Sequence, residues 1–177
     1  GAAEVSVAEA QESLGPEETA RRVEALLAQA RWHLERGEWP LARQRLSELL
    51  AAAPHDAPGL KALAEVEYQT GKYGEALRAY HDVLRWHPED TEALHGRALA
   101  EVALGDYPGA ASSLRQILKL KPGDPETQLY LGDVLLMMGQ RGEAREAWLR
   151  AGQAAGPDGD VASKATRRLE LYPPSNQ

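Results

Sequence analysis

One phrase of eighteen residues recurs along the chain at intervals of 34 residues. Residues 71–88 read GKYGEALRAYHDVLRWHP and residues 105–122 read GDYPGAASSLRQILKLKP, with related phrases at 37–54 and 139–156. A constant interval indicates tandem structural units, each of which buries its apolar face only against its neighbours. We therefore divide this part of the chain into four units, which are residues 23–56, 57–90, 91–124 and 125–158.

Each unit is predicted to form two helices joined by a turn. Apolar residues recur at i, i+3 and i+4 over two stretches of about fourteen residues, as amphipathic helices require. A glycine that tolerates positive φ ends the first stretch, a proline ends the second, and an aspartate then caps the next first helix. These residues are Gly37, Gly71, Gly105 and Gly139; Pro54, Pro88 and Pro122, with Gly156 in the fourth proline position; and Asp56, Asp90 and Asp124.

Small residues occupy two positions of every unit at which paired helices would approach each other closely. Larger side chains there should overpack the interface, at a cost of about 1–3 kcal/mol. A large apolar residue follows four positions after the second small residue and is predicted to fill the space between units. The three sets are Ala30, Ala64, Ala98 and Gly132; Ala42, Ala76, Ala110 and Ala144; and Leu46, Tyr80, Leu114 and Trp148.

The composition favours helices and argues against several classes of protein. Hydrophobic residues make up 43% of the 177 residues and charged residues 27%, and strand-favouring residues are scarce. The net charge of −7 comes without a cluster of Lys and Arg, so we do not expect a nucleic-acid partner. No apolar run approaches the roughly 20 residues that span a bilayer.

The chain contains no cysteine, which removes disulfides, thiolate metal sites and the cysteine nucleophile. The compartment stays open: the cytoplasm is slightly favoured, and a start at Gly1 also fits an exported protein.

The recurring residues resemble the tetratricopeptide repeat, whose signature is W-x₂-L-G-x₂-Y…A-x₃-F…P over 34 residues. The likeness covers residues 23–158. The chain departs from the signature at the positions of its tryptophan and its tyrosine. The resemblance implies an all-α fold, a right-handed superhelical α-solenoid of antiparallel helix pairs whose first helices line a concave groove. The departures are Leu26, Leu60, Leu94 and Gln128 for the tryptophan, and His33, Glu67, Glu101 and Leu135 for the tyrosine.

The terminal units of a solenoid each lack one neighbour, so caps are expected at both ends. The repeats are predicted to occupy residues 16–158, because the first helix is expected to be longer than the others and to begin near Pro16. Residues 159–172 are predicted to form a C-terminal capping helix and residues 173–177 a tail, while residues 1–15 would be partly disordered or serve as a cap. In the capping helix, Val161, Ala165 and Leu169 form one stripe, and Lys164, Arg167 and Arg168 are expected to face water.

Trp32 lies on the first helix where the other units have valine or alanine, and its face has no neighbouring unit. We hypothesise that residues 2–14, which include Val5, Val7 and Leu14, fold back over it, or that a second copy of the chain covers it. Self-association through this N-terminal face is therefore an open alternative.

No arrangement of side chains in the sequence indicates catalysis, a cofactor or a metal site. The five histidines include no i, i+4 pair, and the turn glycines are explained by helix termination. The pair Ser112 and Ser113 lies within a helix without an accompanying histidine, so we expect both serines to be surface residues and not nucleophiles. We expect Glu89 and Asp90 to be a turn residue and an N-cap.

The resemblance also implies which side chains line the groove. Charged residues dominate its first half and apolar residues its second half, while the cations that grip a peptide carboxylate in co-chaperone members of the family are absent except for Arg31. The candidate partner-binding residues are Arg31, Lys61, Glu65, Tyr68, His95, Leu99, Val102, Leu129, Tyr130, Asp133, Leu136 and Met137.

A non-catalytic scaffold is the function that these features favour. The apolar second half of the groove would suit an amphipathic helix or an apolar peptide of a partner protein. The main alternative is an oligomerisation or regulatory segment of a larger assembly or enzyme. An assembly factor for bacterial envelope or cytochrome complexes is a further alternative, suggested only by the habits of the family.

Overall fold

The computed structural model describes residues 15–157 and 159–174, and within these ranges every regular element is an α-helix. The predicted all-α class is confirmed. Nearly all of the N-terminal extension, including residues 2–14 and their proposed contact with Trp32, lies outside the described residues. The helices are α1 (Pro16–Glu35), α2 (Trp39–Ala52), α3 (Ala57–Gln69), α4 (Tyr73–Trp86), α5 (Thr91–Ala103), α6 (Tyr107–Leu120), α7 (Pro125–Met137), α8 (Arg141–Ala155) and α9 (Asp160–Leu171).

The first eight helices form four consecutive pairs, α1–α2, α3–α4, α5–α6 and α7–α8, and each pair packs on the next. The first helices of adjacent pairs also contact each other: α1 contacts α3, and α3 contacts α5. Helix α9 packs on both α7 and α8 and covers the end of the stack. The molecule is a helix-pair solenoid with a capping helix, as predicted, and its first helices lie on the inner side.

The turn inside each pair depends on a glycine in the left-handed region, at Gly37, Gly71, Gly105 and Gly139, whose φ angles are 68°, 76°, 78° and 76°. At the second turn, the N–H of Gly71 donates to the carbonyl of Tyr68 and the N–H of Lys72 donates to that of Glu67. These bonds satisfy carbonyls at the end of α3 that have no partner within the helix.

An aspartate caps the start of each later first helix, which confirms the sequence prediction. The carboxylates of Asp56, Asp90 and Asp124 accept hydrogen bonds from the backbone N–H groups three residues later, at 2.7, 2.9 and 2.8 Å. Each satisfies an N–H group that the helix itself leaves without a partner.

Two large aromatic side chains of the interior pack directly against glycines of a neighbouring helix. A Cβ added to Gly132 would lie 2.4 Å from Cδ1 of Trp148, and one added to Gly96 would lie 2.2 Å from Cζ of Tyr80. Leu46, Leu114 and Trp148 are fully buried, so the large apolar residues do fill the stack.

Ser113 corrects one prediction, because it is fully buried rather than on the surface. Its hydroxyl donates to Oε2 of Glu101 at 2.6 Å and accepts from Nε of Arg97 at 2.9 Å. Glu101 and Glu67 are both 8% exposed, and Nη2 of Arg43 donates to Glu67 Oε2 at 2.8 Å. Carboxylates in the tyrosine position of the repeat thus bind polar partners on the second helices, which offsets part of the cost of their burial.

The N-terminal face of α1 remains open among the described residues. Trp32 is 49% exposed, and the guanidinium of Arg36 lies 3.7 Å from the centroid of its ring. In the described part of the chain, no helix combines the length and the apolar character needed to cross a membrane.

Candidate partner-binding groove

The inner side of the solenoid holds two pockets that share the groove. The N-terminal pocket has a volume of about 380 Å³ and lies between α1, α3 and α5, while the C-terminal pocket has about 530 Å³ and lies between α5, α7, α8 and α9. Of the candidate residues, the N-terminal pocket contains Arg31, Lys61, Glu65, Tyr68, His95 and Leu99, and the C-terminal pocket contains Val102, Tyr130, Asp133, Leu136 and Met137.

Leu129 lines neither pocket. It is 8% exposed and packs in the hydrophobic core with residues of α6 and α8. Helix α7 is apolar on most of its surface, so its sequence pattern does not reveal which apolar side faces the groove.

The N-terminal pocket is electrostatically balanced. The ammonium group of Lys61 lies 3.1 Å from a carboxylate oxygen of Asp90 and bonds to the carboxylate of Glu92. Burial by itself would lower the pKa of Lys61, but the hydrogen bonds to these two carboxylates outweigh it and raise the pKa above 10.5. Lys61 is therefore already paired with two carboxylates, and the exposed Arg31 is the other cation among the described residues that line this pocket.

Asp90 links this pocket to the helix framework. Burial by itself would raise the pKa of its carboxyl, but hydrogen bonds from the N–H of Ala93 and from Lys61 outweigh it and lower the pKa below 3.8. The same side chain thus caps α5 and holds Lys61, which fixes one wall of the pocket.

Two tyrosines connect the pocket walls with the interior. Burial raises the pKa of Tyr80 to about 12, and burial likewise raises that of Tyr130 to about 12. The rings of Tyr130 and His95 have centroids 6.0 Å apart, so these side chains join the two pockets along the groove.

Asp133 organises the C-terminal pocket. Nε1 of Trp148 donates to its Oδ1 at 3.0 Å, and Nη2 of Arg168 donates to its Oδ2 at 2.6 Å. The expectation that Arg168 faces water is therefore wrong, because this side chain turns inward and ties α9 to α7. The hydrogen bond to Asp133 raises the pKa of Arg168 above its ordinary value.

The C-terminal end of α9 is held by two arginines of α8. Nη1 of Arg145 donates to the carbonyl of Leu169 at 3.0 Å and also to that of Tyr172, while Nη2 of Arg141 donates to the carbonyl of Pro173 at 2.9 Å. The ring of Tyr172 lies 5.7 Å from that of Trp148. These contacts make the capping helix one wall of the groove.

Sequence reasoning missed the groove residues that α9 and the residue after it contribute. Lys164, Arg167, Arg168, Leu171 and Tyr172 line the C-terminal pocket. The amphipathic pattern of residues 159–172 predicts the capping helix, but it does not show that part of the polar side of this helix lines the groove. In the described ranges, no three His, Asp or Glu side chains converge closely enough to hold a metal ion.

The helix pairs, their turn glycines and the inner groove define an α-solenoid of the class that supports protein–protein interaction. The model of the tetratricopeptide repeat family matches residues 61–125 and 95–160, which together span more than half of the chain. The chain therefore belongs to the tetratricopeptide repeat family. The model of the bacterial transcriptional activator domain also matches, over residues 2–90.

Several solved structures share the fold of this chain. A thermophilic tetratricopeptide repeat protein of Thermus thermophilus is 28% identical, with 88% of this chain and 85% of that chain covered and a TM-score of 0.69. The MamA protein is 16% identical, with coverage of 89% and 99% and a TM-score of 0.70. The first repeat domain of Spaghetti (RPAP3), bound to the HSP90 peptide SRMEEVD, is 17% identical, with coverage of 67% and 94% and a TM-score of 0.64. No curated protein matches significantly.

Proposed function

We propose that this chain is a non-catalytic scaffold that captures an amphipathic helix or apolar peptide of a partner protein in its concave groove, mainly through apolar contacts. The apolar surface of the C-terminal pocket carries the proposal. Met137 and Leu171 are 60% and 63% exposed there, beside the half-buried Val102 and Leu136. Covering such side chains is favourable by about 25 cal/mol per Å² of apolar surface.

The N-terminal pocket would supply polar contacts to the same partner. Arg31, Glu65 and His95 are exposed, and Lys61 and Tyr68 are half-buried, so a peptide that continues past Tyr130 would meet hydrogen-bonding groups. An apolar anchor with a polar continuation is the usual composition of a peptide-binding surface. The complex of RPAP3 with a peptide supports the proposal at the level of the fold.

A triple substitution tests the groove directly. Leu99→Ser, Val102→Ser and Leu136→Ser together remove apolar surface from both pockets. We expect loss of most partner binding, because each substitution removes part of the apolar contact area. Binding is measured by affinity capture from the source organism's lysate, followed by titration of each captured protein against wild type and variant, with circular dichroism to verify the fold.

A matched control changes three exposed leucines that line neither pocket: Leu104→Ser, Leu120→Ser and Leu149→Ser. This variant should bind as wild type does. Equal binding by the folded groove variant, or equal losses in the groove and control variants, would refute the proposed site.

Self-assembly is a second candidate function, favoured by the open face of α1. Trp32 and Leu41 are 49% and 44% exposed near this end of the solenoid. Sedimentation over a range of concentrations distinguishes the candidates. A dimer that forms with concentration and is abolished by Trp32→Ser favours assembly, whereas a monomer at all concentrations argues against it.

A further inference from the structure

The C-terminal pocket differs from the rest of the groove in its charge. Lys164, Arg167 and Arg168 lie at its rim and Asp133 is the single carboxylate among its lining residues in the described ranges. The described residues that line the N-terminal pocket, by contrast, include two cations and two carboxylates. A local excess of positive charge stands out on a chain whose net charge is −7.

The one carboxylate cannot neutralise this rim. Both oxygens of Asp133 already accept hydrogen bonds, from Arg168 and from Trp148. Among the described residues, Lys164 forms an ion pair with Asp160 of the same helix at 2.5 Å, and both side chains are more than half exposed. Arg167 is exposed and makes no ion pair with the described residues.

The backbone carbonyls at the end of α9 add little opposing negative charge, and Glu170 of the last turn does not line the pocket. The carbonyl groups at a helix C-terminus normally disfavour an anion. Here the carbonyls of Leu169, Tyr172 and Pro173 are bonded to Arg145 and Arg141. A carboxylate at the rim would therefore meet cations without strong repulsion from the backbone.

We infer that the C-terminal pocket selects partner segments in which an apolar side chain is flanked by carboxylates. This inference rests on the function proposed above. The apolar side chain contacts Val102, Leu136 and Met137, and the flanking carboxylates lie against Arg167 and Lys164. A chain segment fits better than a compact amphiphile, because the pocket opens along the groove through Tyr130 and His95.

The selectivity comes from both attraction and repulsion. An exposed ion pair contributes only about 0–1 kcal/mol, so acidic flanks alone add little affinity. Lysine or arginine flanks placed against the same rim are repelled, and specificity is the difference between the two. We expect about a tenfold preference for acidic over basic flanks, and a smaller preference at high salt.

Three designed peptides test the inference on the full chain. They carry leucines at helical spacing and differ only in whether the flanking residues are Glu, Gln or Lys. Fluorescence anisotropy of the labelled peptides at low and high salt gives the affinities. The Glu peptide should bind most tightly and the Lys peptide most weakly, and Arg167→Glu should abolish or reverse that order.

The matched control is Arg78→Glu, which makes the same change in net charge on an exposed residue of α4 that lines neither pocket. It should preserve the preference for the Glu peptide. Equal effects of Arg167→Glu and Arg78→Glu would overturn the inference, because only net charge would then matter.

The remaining outcomes separate the two proposals. Equal affinity for all three peptides, lost on Leu136→Ser, overturns the charge selection and leaves the groove function standing. Failure of every peptide to bind counts against the proposed function itself. If dodecanoate binds more tightly than the Glu peptide, and this binding is lost in Arg167→Glu, the occupant is a small amphiphile and the proposed peptide is ruled out. If a peptide of residues 1–14 displaces the labelled Glu peptide and the chain also self-associates, the occupant is a second copy of the chain. The proposal of a separate partner protein is then wrong.

Discussion

Replacing Gly132 by alanine should destabilise the last helix pair, although alanine is the better helix former. The added Cβ would lie 2.4 Å from Cδ1 and Nε1 of Trp148 and 3.0 Å from the carbonyl oxygen of Ala144. Trp148 cannot easily move away, because it is fully buried and its Nε1 is bonded to Asp133. Either the indole or the backbone of α8 must therefore shift.

Two opposing terms set the size of the effect. Overpacking a well-packed core costs about 1–3 kcal/mol. Alanine in place of glycine within a helix stabilises by about 0.5–1 kcal/mol. We expect a net loss of about 1–2 kcal/mol in the free energy of unfolding, or a melting temperature lower by about 2–4 °C for each kcal/mol.

Urea and thermal unfolding followed by circular dichroism measure this loss. Stacked repeats can unfold in parts, so tryptophan fluorescence should be recorded in parallel to test whether the transitions coincide. Gly142→Ala is the matched control, because no atom lies within 4 Å of the Cβ it would add. Its stability should equal or slightly exceed that of wild type.

A double-mutant cycle with Trp148→Leu tests the cause. An alanine and a leucine occupy the corresponding positions of the third unit, as Ala98 and Leu114. In the Trp148→Leu background, Gly132→Ala should be neutral or stabilising, which corresponds to a coupling energy of about 1–3 kcal/mol. If Gly132→Ala is harmless in wild type, or equally costly in both backgrounds, contact with the indole is not the reason for the glycine.

Two further predictions concern stability. Asp124→Ala should lower the free energy of unfolding by about 0.5–2 kcal/mol, because the N–H of Thr127 loses its acceptor, and Asp124→Asn should restore most of it in thermal unfolding. Burial raises the pKa of Glu101 above 4.5 despite the hydrogen bond from Ser113 and the nearby charge of Arg97. The folded protein thus holds this proton more tightly than the unfolded chain, so stability is lost as the pH rises from 4.5 through the raised pKa. Urea titrations across this range should show a flatter profile for Glu101→Gln, and an unchanged profile would contradict the assignment.

Much of the fold could be predicted from the sequence because its signals are local. A glycine that ends a helix and an aspartate that caps one act over three to five residues, so Gly71 and Asp90 can be identified without a partner elsewhere in the chain. The interval of 34 residues then repeats the same local solution, and stacking follows because each pair exposes an apolar face.

The candidate site was predictable only in part. The fold of the family indicates which helix positions face the groove, and eleven of the twelve candidate residues line one of the two pockets. Leu129 does not, since α7 packs on three neighbouring helices and most of its surface is apolar. Periodicity shows that a side chain is apolar, but not which neighbour it contacts.

The sequence by itself determined the number and spacing of the helix pairs, their turns and their caps, because nearby residues decide these features. Only the tertiary structure decided what the groove is made of at its C-terminal end. Arg168 and Asp133 are 35 residues apart, and their contact brings α9 against α7 to form a wall with exposed cations. Such a contact depends on how α9 docks on the last unit, which no local pattern specifies.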